Sequence, residues 1–341
     1  MTRAALALVV LCLSGCRIET AAPQASGPVA ADGAPRGEVW VYTSMYRHVL
    51  DAFDPLLKKQ LPEVTVRWVQ GGSEKVASRL EAELAAGGSQ ADLLLTSDPF
   101  LYARFRKEDR WLRYASPNGL RTPRSLVDLD GHFAAARLST MVIVYREGDP
   151  APESFAALAE PKWKDAVALG DPLTSGTAFT WAVFTWRTQG KDAFQKLRDN
   201  GARVAGGNAA VLQKVEGGEA KVGVVLLENV LAARARGSKV AVAWPSDGAV
   251  LVPGPIGILK TGRNPVGAKS VIDVLLSPEG QALIVEKGDM HGVDPRAPGP
   301  KETAALDWLL PKTQPWSEEL LAAGLAEGEA IKDAFSKAFS H

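Results

Sequence analysis

Residues 170–181 read GDPLTSGTAFTW. An apolar run, 166–169, ends in Gly170-Asp171-Pro172; the hydroxyl-rich Thr174-Ser175-Gly176-Thr177 follows, then a stretch that reads as a buried helix. A strand that turns into a helix through such residues has two chemical uses. It can hold a nucleophile, or it can grip a ligand. A serine nucleophile needs a base and oxyanion donors. The local sequence is not Gly-x-Ser-x-Gly, and the four histidines, His48, His132, His291 and His341, all lie far from Ser175 in the chain. A phosphate loop of the Gly-x-x-x-x-Gly-Lys-Ser/Thr type is absent, and so is His-Glu-x-x-His spacing. The binding use needs less. A helix N-terminus presents unpaired N–H groups and a partial positive charge, Gly176 allows close backbone approach, and the hydroxyls of Thr174, Ser175 and Thr177 add donors and acceptors beyond what one cap requires. Such a turn can hold a carboxylate or phosphate without a dedicated cation.

The same event recurs along the chain. Strand-like runs at 39–42, 64–69, 92–96, 141–145, 166–169, 222–227, 241–244 and 255–259 alternate with helical patterns. This predicts an α/β chain with largely parallel sheets flanked by helices. Five strand ends carry small or polar residues ahead of a helix, at Thr43-Ser44, Gly72-Ser73, Ser97-Asp98, Thr174–Thr177 and Glu228-Asn229. Ligands of open α/β sheets bind outside the carboxyl ends of the strands, so these turns are the expected pocket wall. The expected lining is Ser44, Ser73, Ser97, Thr174, Ser175, Gly176, Thr177 and Glu228, with Tyr46, Asn229 and Asp247 as further candidates. Ser73 reads as the N-cap of its helix, Pro55 as a kink or a restart capped by Asp54, and Gly206-Gly207 as a pair outside any clear strand-to-helix pattern.

Bulk properties narrow the class. The chain of 341 residues balances 39 Lys+Arg against 39 Asp+Glu, which gives no basic surface for nucleic acid. Met1-Thr2-Arg3, the apolar stretch 4–13 and Leu13-Ser14-Gly15-Cys16 together predict a lipoprotein signal over 1–15, with Cys16 as the lipidation site and an extracytoplasmic, membrane-tethered location. Residues 16–37 read as a flexible tether. The other cysteine, Cys12, lies in the signal, so the expected mature chain has no disulfide and no thiolate metal site. About 300 residues exceed one comfortable core, and two lobes are expected.

With VWVYTS at 39–44, GGSEKVASRLEAE at 71–83, ADLLLTSD at 91–98, DPLTSGTAF at 171–179, VLQKVEGGEAKVGVVLLEN at 211–229, WPSDGAVLVPGPIGILK at 244–260 and AKSVIDVLLSPEGQALI at 268–284 in order, the chain resembles substrate-binding proteins of ABC importers. The class resembled contains the ferric-ion-binding proteins and their relatives for sugar phosphates, phosphoglycerate, aminoethylphosphonate, thiamine and polyamines. The resemblance implies a type II periplasmic binding fold. Each lobe would be a mainly parallel sheet flanked by helices, lobe 1 from 38–135 plus 251–295 and lobe 2 from 136–250 plus 296–341, joined by crossing strands that bend as a hinge around a ligand. It implies a solute-binding subunit without catalytic residues or cofactor, a monomer, whose partners are a small solute, an inner-membrane permease and, through Cys16, the bilayer. The favoured cargo is a phosphorylated or carboxylated metabolite. The alternatives are ferric ion, a polyamine or thiamine, and a Ser175-dependent hydrolase. Ferric relatives use paired tyrosines after the strand that ends here at Leu227, where this chain has none; Tyr46 and Glu228 are the candidate iron ligands, with other carboxylates or a co-bound anion needed to complete the set.

Overall fold

The computed structural model describes residues 33–340. The signal, Cys16 and most of the tether lie outside the described residues. The described residues form ten strands: β1 Gly37–Thr43, β2 Val64–Gln70, β3 Leu93–Leu95, β4 Trp111–Leu112, β5 Ala134–Arg146, β6 Val167–Gly170, β7 Arg203–Gly206, β8 Val222–Leu226, β9 Val240–Ala243 and β10 Val250–Leu259. They form one sheet in the order β2-β1-β3-β10-β5-β8-β6-β7, with β4 on β10 and β9 on β5. Parallel pairing holds β2, β1 and β3 together at one end and β8, β6 and β7 at the other. Between them β10 and β5 run antiparallel to each other and to their outer neighbours. This is the mixed α/β architecture the alternating pattern predicts, with two parallel trios joined by a central antiparallel pair.

The central pair was only half legible. The apolar run 141–145 is the second half of β5, and 255–259 the second half of β10. Their first halves read Ala134-Ala-Ala-Arg-Leu-Ser-Thr140, rich in alanine, and Val250-Leu-Val-Pro-Gly254, an apolar start broken by a proline and a glycine. Tertiary pairing overrides that preference: Met141 faces Val250 and Arg137 faces Gly254, and all ten residues of β10 are buried. Pro253 is tolerated beside a register shift at Gly254/Pro255.

Helices cover both faces. Helix Arg47–Gln60 runs unbroken through Pro55, because Asp51 and Pro55 are exposed and water can take the freed carbonyl. Helix Ser73–Ala85 has Gly72, not Ser73, at its N-cap. The glycine pair at 206–207 is a strand-to-helix turn after all: β7 ends at Gly206, with φ +97°, and helix Asn208–Glu216 follows. The short, largely exposed β7 carries too little apolar pattern to announce it. Helix Gly176–Gln189 is buried continuously from Gly176 to Trp186, as its sequence suggests. The long helix Glu318–Phe339, capped by Ser317, lies across helices Pro99–Lys107 and Gly176–Gln189. Phe100 of one and Phe179 of the other meet edge-on at 5.3 Å, and two glycines of the long helix sit over these rings. A Cβ at Gly324 would fall 2.2 Å from Phe100, whereas one at Gly328 would stand 3.3 Å from Phe179.

These distances separate two otherwise similar substitutions. Alanine gains about 1 kcal/mol of helix propensity over glycine at either place. At Gly324 overpacking of about 1–3 kcal/mol opposes it. Urea titrations should find Gly324→Ala less stable than wild type and Gly328→Ala equal or more stable.

Candidate functional site

The polar strand ends converge on the central pair. Ser44, just past β1, has its N–H on the Leu95 carbonyl at 3.0 Å, which brings the β1 and β3 ends side by side. The Ser97 N–H then donates to Ser44 Oγ at 3.2 Å and Ser73 Oγ at 3.3 Å. The hydroxyl expected to cap the helix at Ser73 thus serves the neighbouring turn instead. Across from these serines stands Gly176. A Cβ there would lie 2.9 Å from the Ser97 carbonyl oxygen and 3.3 Å from Ser73 Cβ, so only a glycine lets the two turns approach this closely. Ser175 caps its helix by accepting from Ala178 N–H at 3.3 Å and meets Thr177 Oγ1 at 3.1 Å. Asn208 donates to Thr177 Oγ1 at 3.0 Å and accepts from the Leu226 N–H at 3.2 Å, tying the β6, β7 and β8 ends together. Tyr46, after β1, reaches Asn229, after β8, with its hydroxyl 3.4 Å from Oδ1.

At the centre lies Arg137 of β5, 2% exposed. Its Nη2 donates to Ser97 Oγ at 2.7 Å and Ser44 Oγ at 3.3 Å. Its Nη1 donates to Ser139 Oγ at 3.2 Å and approaches Met290 Sδ at 3.5 Å. Its Nε has no hydrogen-bond partner. The stem lies over Gly254, where a Cβ would come within 2.7 Å of Arg137 Cγ. Glu228, 3% exposed, accepts from Ser139 Oγ at 2.6 Å through Oε1 and leaves Oε2 bare. One hydroxyl therefore bridges guanidinium and carboxylate, and among the described residues neither forms an ion pair.

Burial dominates the electrostatics. Desolvation pushes the Glu228 carboxyl up to about 7, against the downward pull of the Ser139 hydrogen bond and of Arg137. It also lowers Arg137 from the usual guanidinium range, offset in part by Glu228. The Tyr46 phenol is raised, first by burial and then by the Glu228 charge. Glu74, near the Ser73 turn, is pushed up to about 6 by burial and by Asp98. A buried charge is costly unless it is paired and hydrogen-bonded, and here a cation and a carboxylate each keep one polar atom without a partner.

Of the expected site residues, Ser44, Ser73, Ser97, Ser175, Gly176, Thr177 and Glu228 belong to this convergence, with Tyr46 and Asn229 at one side. Two do not join it. The exposed Thr174 bonds to Asp171 Oδ2 at 3.2 Å within its own turn. Asp247 accepts from Phe155 and Ala156 N–H, both at 3.0 Å, and so caps a distant loop. Trp181, on the helix that Ser175 caps, is a core residue at 1% exposure. The chain pattern did not reveal Arg137, Ser139 and Asn208. An arginine inside an alanine run, two residues before a serine with strand spacing, was the available signal for the first two. Asn208 at a possible N-cap was the signal for the third.

Asp128, Asp130 and His132 also gather oxygen and nitrogen atoms within 4.8 Å. Asp128, however, is bonded to Arg106 at 2.6 Å and to His132 Nδ1 and N–H at 2.8 Å, and Arg113 donates to His132 Nε2 at 3.2 Å. These groups clamp a loop to one another.

Residues 38–288 match the family model described as bacterial extracellular solute-binding protein. A putative 2-aminoethylphosphonate-binding periplasmic protein of Salmonella typhimurium is 26% identical over 256 residues, 71% of this chain and 72% of that one. A Haemophilus influenzae protein is 31% identical over 142 residues, which spans 41% of its length and 40% of this chain. Among solved structures, the periplasmic binding protein AfuA of Actinobacillus pleuropneumoniae, with fructose 6-phosphate bound, superposes with a TM-score of 0.76 at 20% identity, covering 89% of this chain and 98% of that one. Iron-bound HitA of Pseudomonas aeruginosa gives 0.77 at 17% identity, covering 87% and 99%. The sheet flanked by helices is that of type II periplasmic binding proteins. The chain belongs to the bacterial extracellular solute-binding protein family, the periplasmic solute-capturing components that work with ABC permeases.

Proposed function

We propose that this importer component captures a small organic anion, a phosphorylated or carboxylated metabolite, between the strand-end turns. The observation that carries the reading is Arg137, a buried cation with a bare Nε, set among the hydroxyls of Ser44, Ser97 and Ser139. Ser73, Ser175, Gly176 and Thr177 stand at the starts of two helices, whose N–H groups add favourable potential for an anion. Asn229 and Tyr46 flank the same place. Residues 38–135 with 251–295 and 136–250 with 296–341 act as two lobes that bend about β5 and β10. Cys16 carries the lipid that holds the protein at the membrane. Cationic cargo, polyamine or thiamine, would have to sit against Arg137. A ferric site would require Tyr46 as phenolate, which burial and Glu228 oppose. Ser175 is occupied as a helix cap, which speaks against a nucleophile.

A thermal-shift screen with fructose 6-phosphate, ethylphosphonate, 2-aminoethylphosphonate, spermidine and ferric citrate tests the class, since a ligand of the native state raises the melting temperature by mass action. Organic anions should raise it and spermidine should not; a rise with ferric salt alone would overturn the reading. Arg137→Met replaces a buried ion with an apolar chain of similar reach, so it should keep or raise the ligand-free melting temperature and abolish the anion response. Ser175→Ala with Thr177→Val should weaken calorimetric affinity about tenfold or more with the fold retained; unchanged affinity would remove both from the site.

The ligand-free protein should also carry a pH signature. Glu228 binds its proton more tightly folded, at about 7, than unfolded, where it has the ordinary carboxylate value of 4.5. Its contribution to stability is therefore full below the unfolded value and is lost as pH rises through the folded one. Glu228→Gln should match wild type near pH 4 and melt higher at pH 8, by ~3 °C or more, in paired melts without ligand.

A further inference from the structure

We propose that the site selects a short zwitterion, its anionic head on Arg137 and the serine hydroxyls and a protonated amine on Glu228. This rests on the anion-capture reading above and adds the second half of the ligand. Arg137 and Glu228 are both almost fully buried, yet they do not pair. Each turns one polar group to Ser139 and leaves another bare, Nε on the arginine and Oε2 on the glutamate. Ser139 stands between the two charges, its Oγ 3.2 Å from Nη1 and 2.6 Å from Oε1.

Charge balance then narrows the guest. With Glu228 ionised, the two side chains sum to zero. A plain anion meets Arg137 but places its own negative charge beside Glu228, whose carboxylate already has the Asp289 charge near it. A guest that also carries a cation meets both side chains and keeps the buried site neutral, which is the condition under which buried ions are tolerated. A hydroxyl could bond to Oε2 but would leave the carboxylate charge uncompensated. The surroundings fit an ammonium. Ser139 already holds Oε1, and the nearby phenol of Tyr46 keeps its proton and turns to Asn229. Gly254 keeps the guanidinium in place, since any side chain there would strike the arginine stem.

The test uses ligands that differ only in the amine, 2-aminoethylphosphonate against ethylphosphonate and phosphoethanolamine against ethyl phosphate, with fructose 6-phosphate as the hydroxylated comparison. Isothermal calorimetry on wild-type protein should give each amine at least about tenfold tighter binding than its partner, and tighter binding than the sugar phosphate. Glu228→Gln should weaken the amines and leave ethylphosphonate and ethyl phosphate equal or tighter. Opposite movement of the two ligand types is something a purely structural glutamate would not produce. Equal binding within each wild-type pair, or parallel loss of all ligands in the variant, overturns the zwitterion while leaving anion capture standing. Failure of every organic anion to bind wild type overturns both. If Glu228→Gln does not fold, the wild-type pairs alone decide.

Discussion

An arginine buried in the middle of a sheet, with no direct ion pair and only a hydroxyl-bridged carboxylate near it, is the constraint around which the strand-end turns are arranged. Arg137 sits on β5 opposite Gly254 of β10, at the place where two parallel trios are joined by two antiparallel strands. Burying that charge costs several kcal/mol unless donors find acceptors. The protein supplies hydroxyls from three different chain segments, Ser44, Ser97 and Ser139, and leaves Nε without any. Replacing the arginine by an apolar residue would relieve the fold. On the proposed reading, its presence serves binding rather than stability.

The sheet topology explains why so many polar turns can face one arginine. The strands of each parallel trio point their carboxyl ends toward the central pair, so helices begin there from both sides. Gly176 and the Ser97 carbonyl come together as closely as a missing side chain allows. Behind that contact, Phe100 and Phe179 touch one another beneath the long terminal helix. Local rules, helix capping and glycine at a tight approach, thus do double duty: they end each element and also aim its free N–H groups and hydroxyls at one spot.

How much of this could be read from the chain follows from what each signal requires. Parallel, doubly covered strands such as β3, β6 and β8 are buried apolar runs and declare themselves. The hydroxyl turns at Ser44, Ser97 and Ser175 are visible because they exceed the needs of a cap. Glu228 is visible as an acid at a buried strand end. What the sequence hid was whatever depends on long-range pairing. The first half of β5 is three alanines, an arginine, one leucine, a serine and a threonine, and it becomes a central strand only because β10 lies beside it. Arg137 went unseen for that reason. Thr174 and Asp247 show the converse: their residue types suit a ligand site, but nearby N–H or carboxylate groups claim them first.

A crystal structure of the protein soaked or co-crystallised with the organic anion that most raises its melting temperature tests the central claim most directly. The account expects an anionic oxygen within hydrogen-bond distance of the Arg137 guanidinium, with Ser44 or Ser97 on the same group and the ligand enclosed between the turns at 97 and 175. A ligand seated away from Arg137, with that guanidinium still bonded to the serine hydroxyls alone, would contradict it.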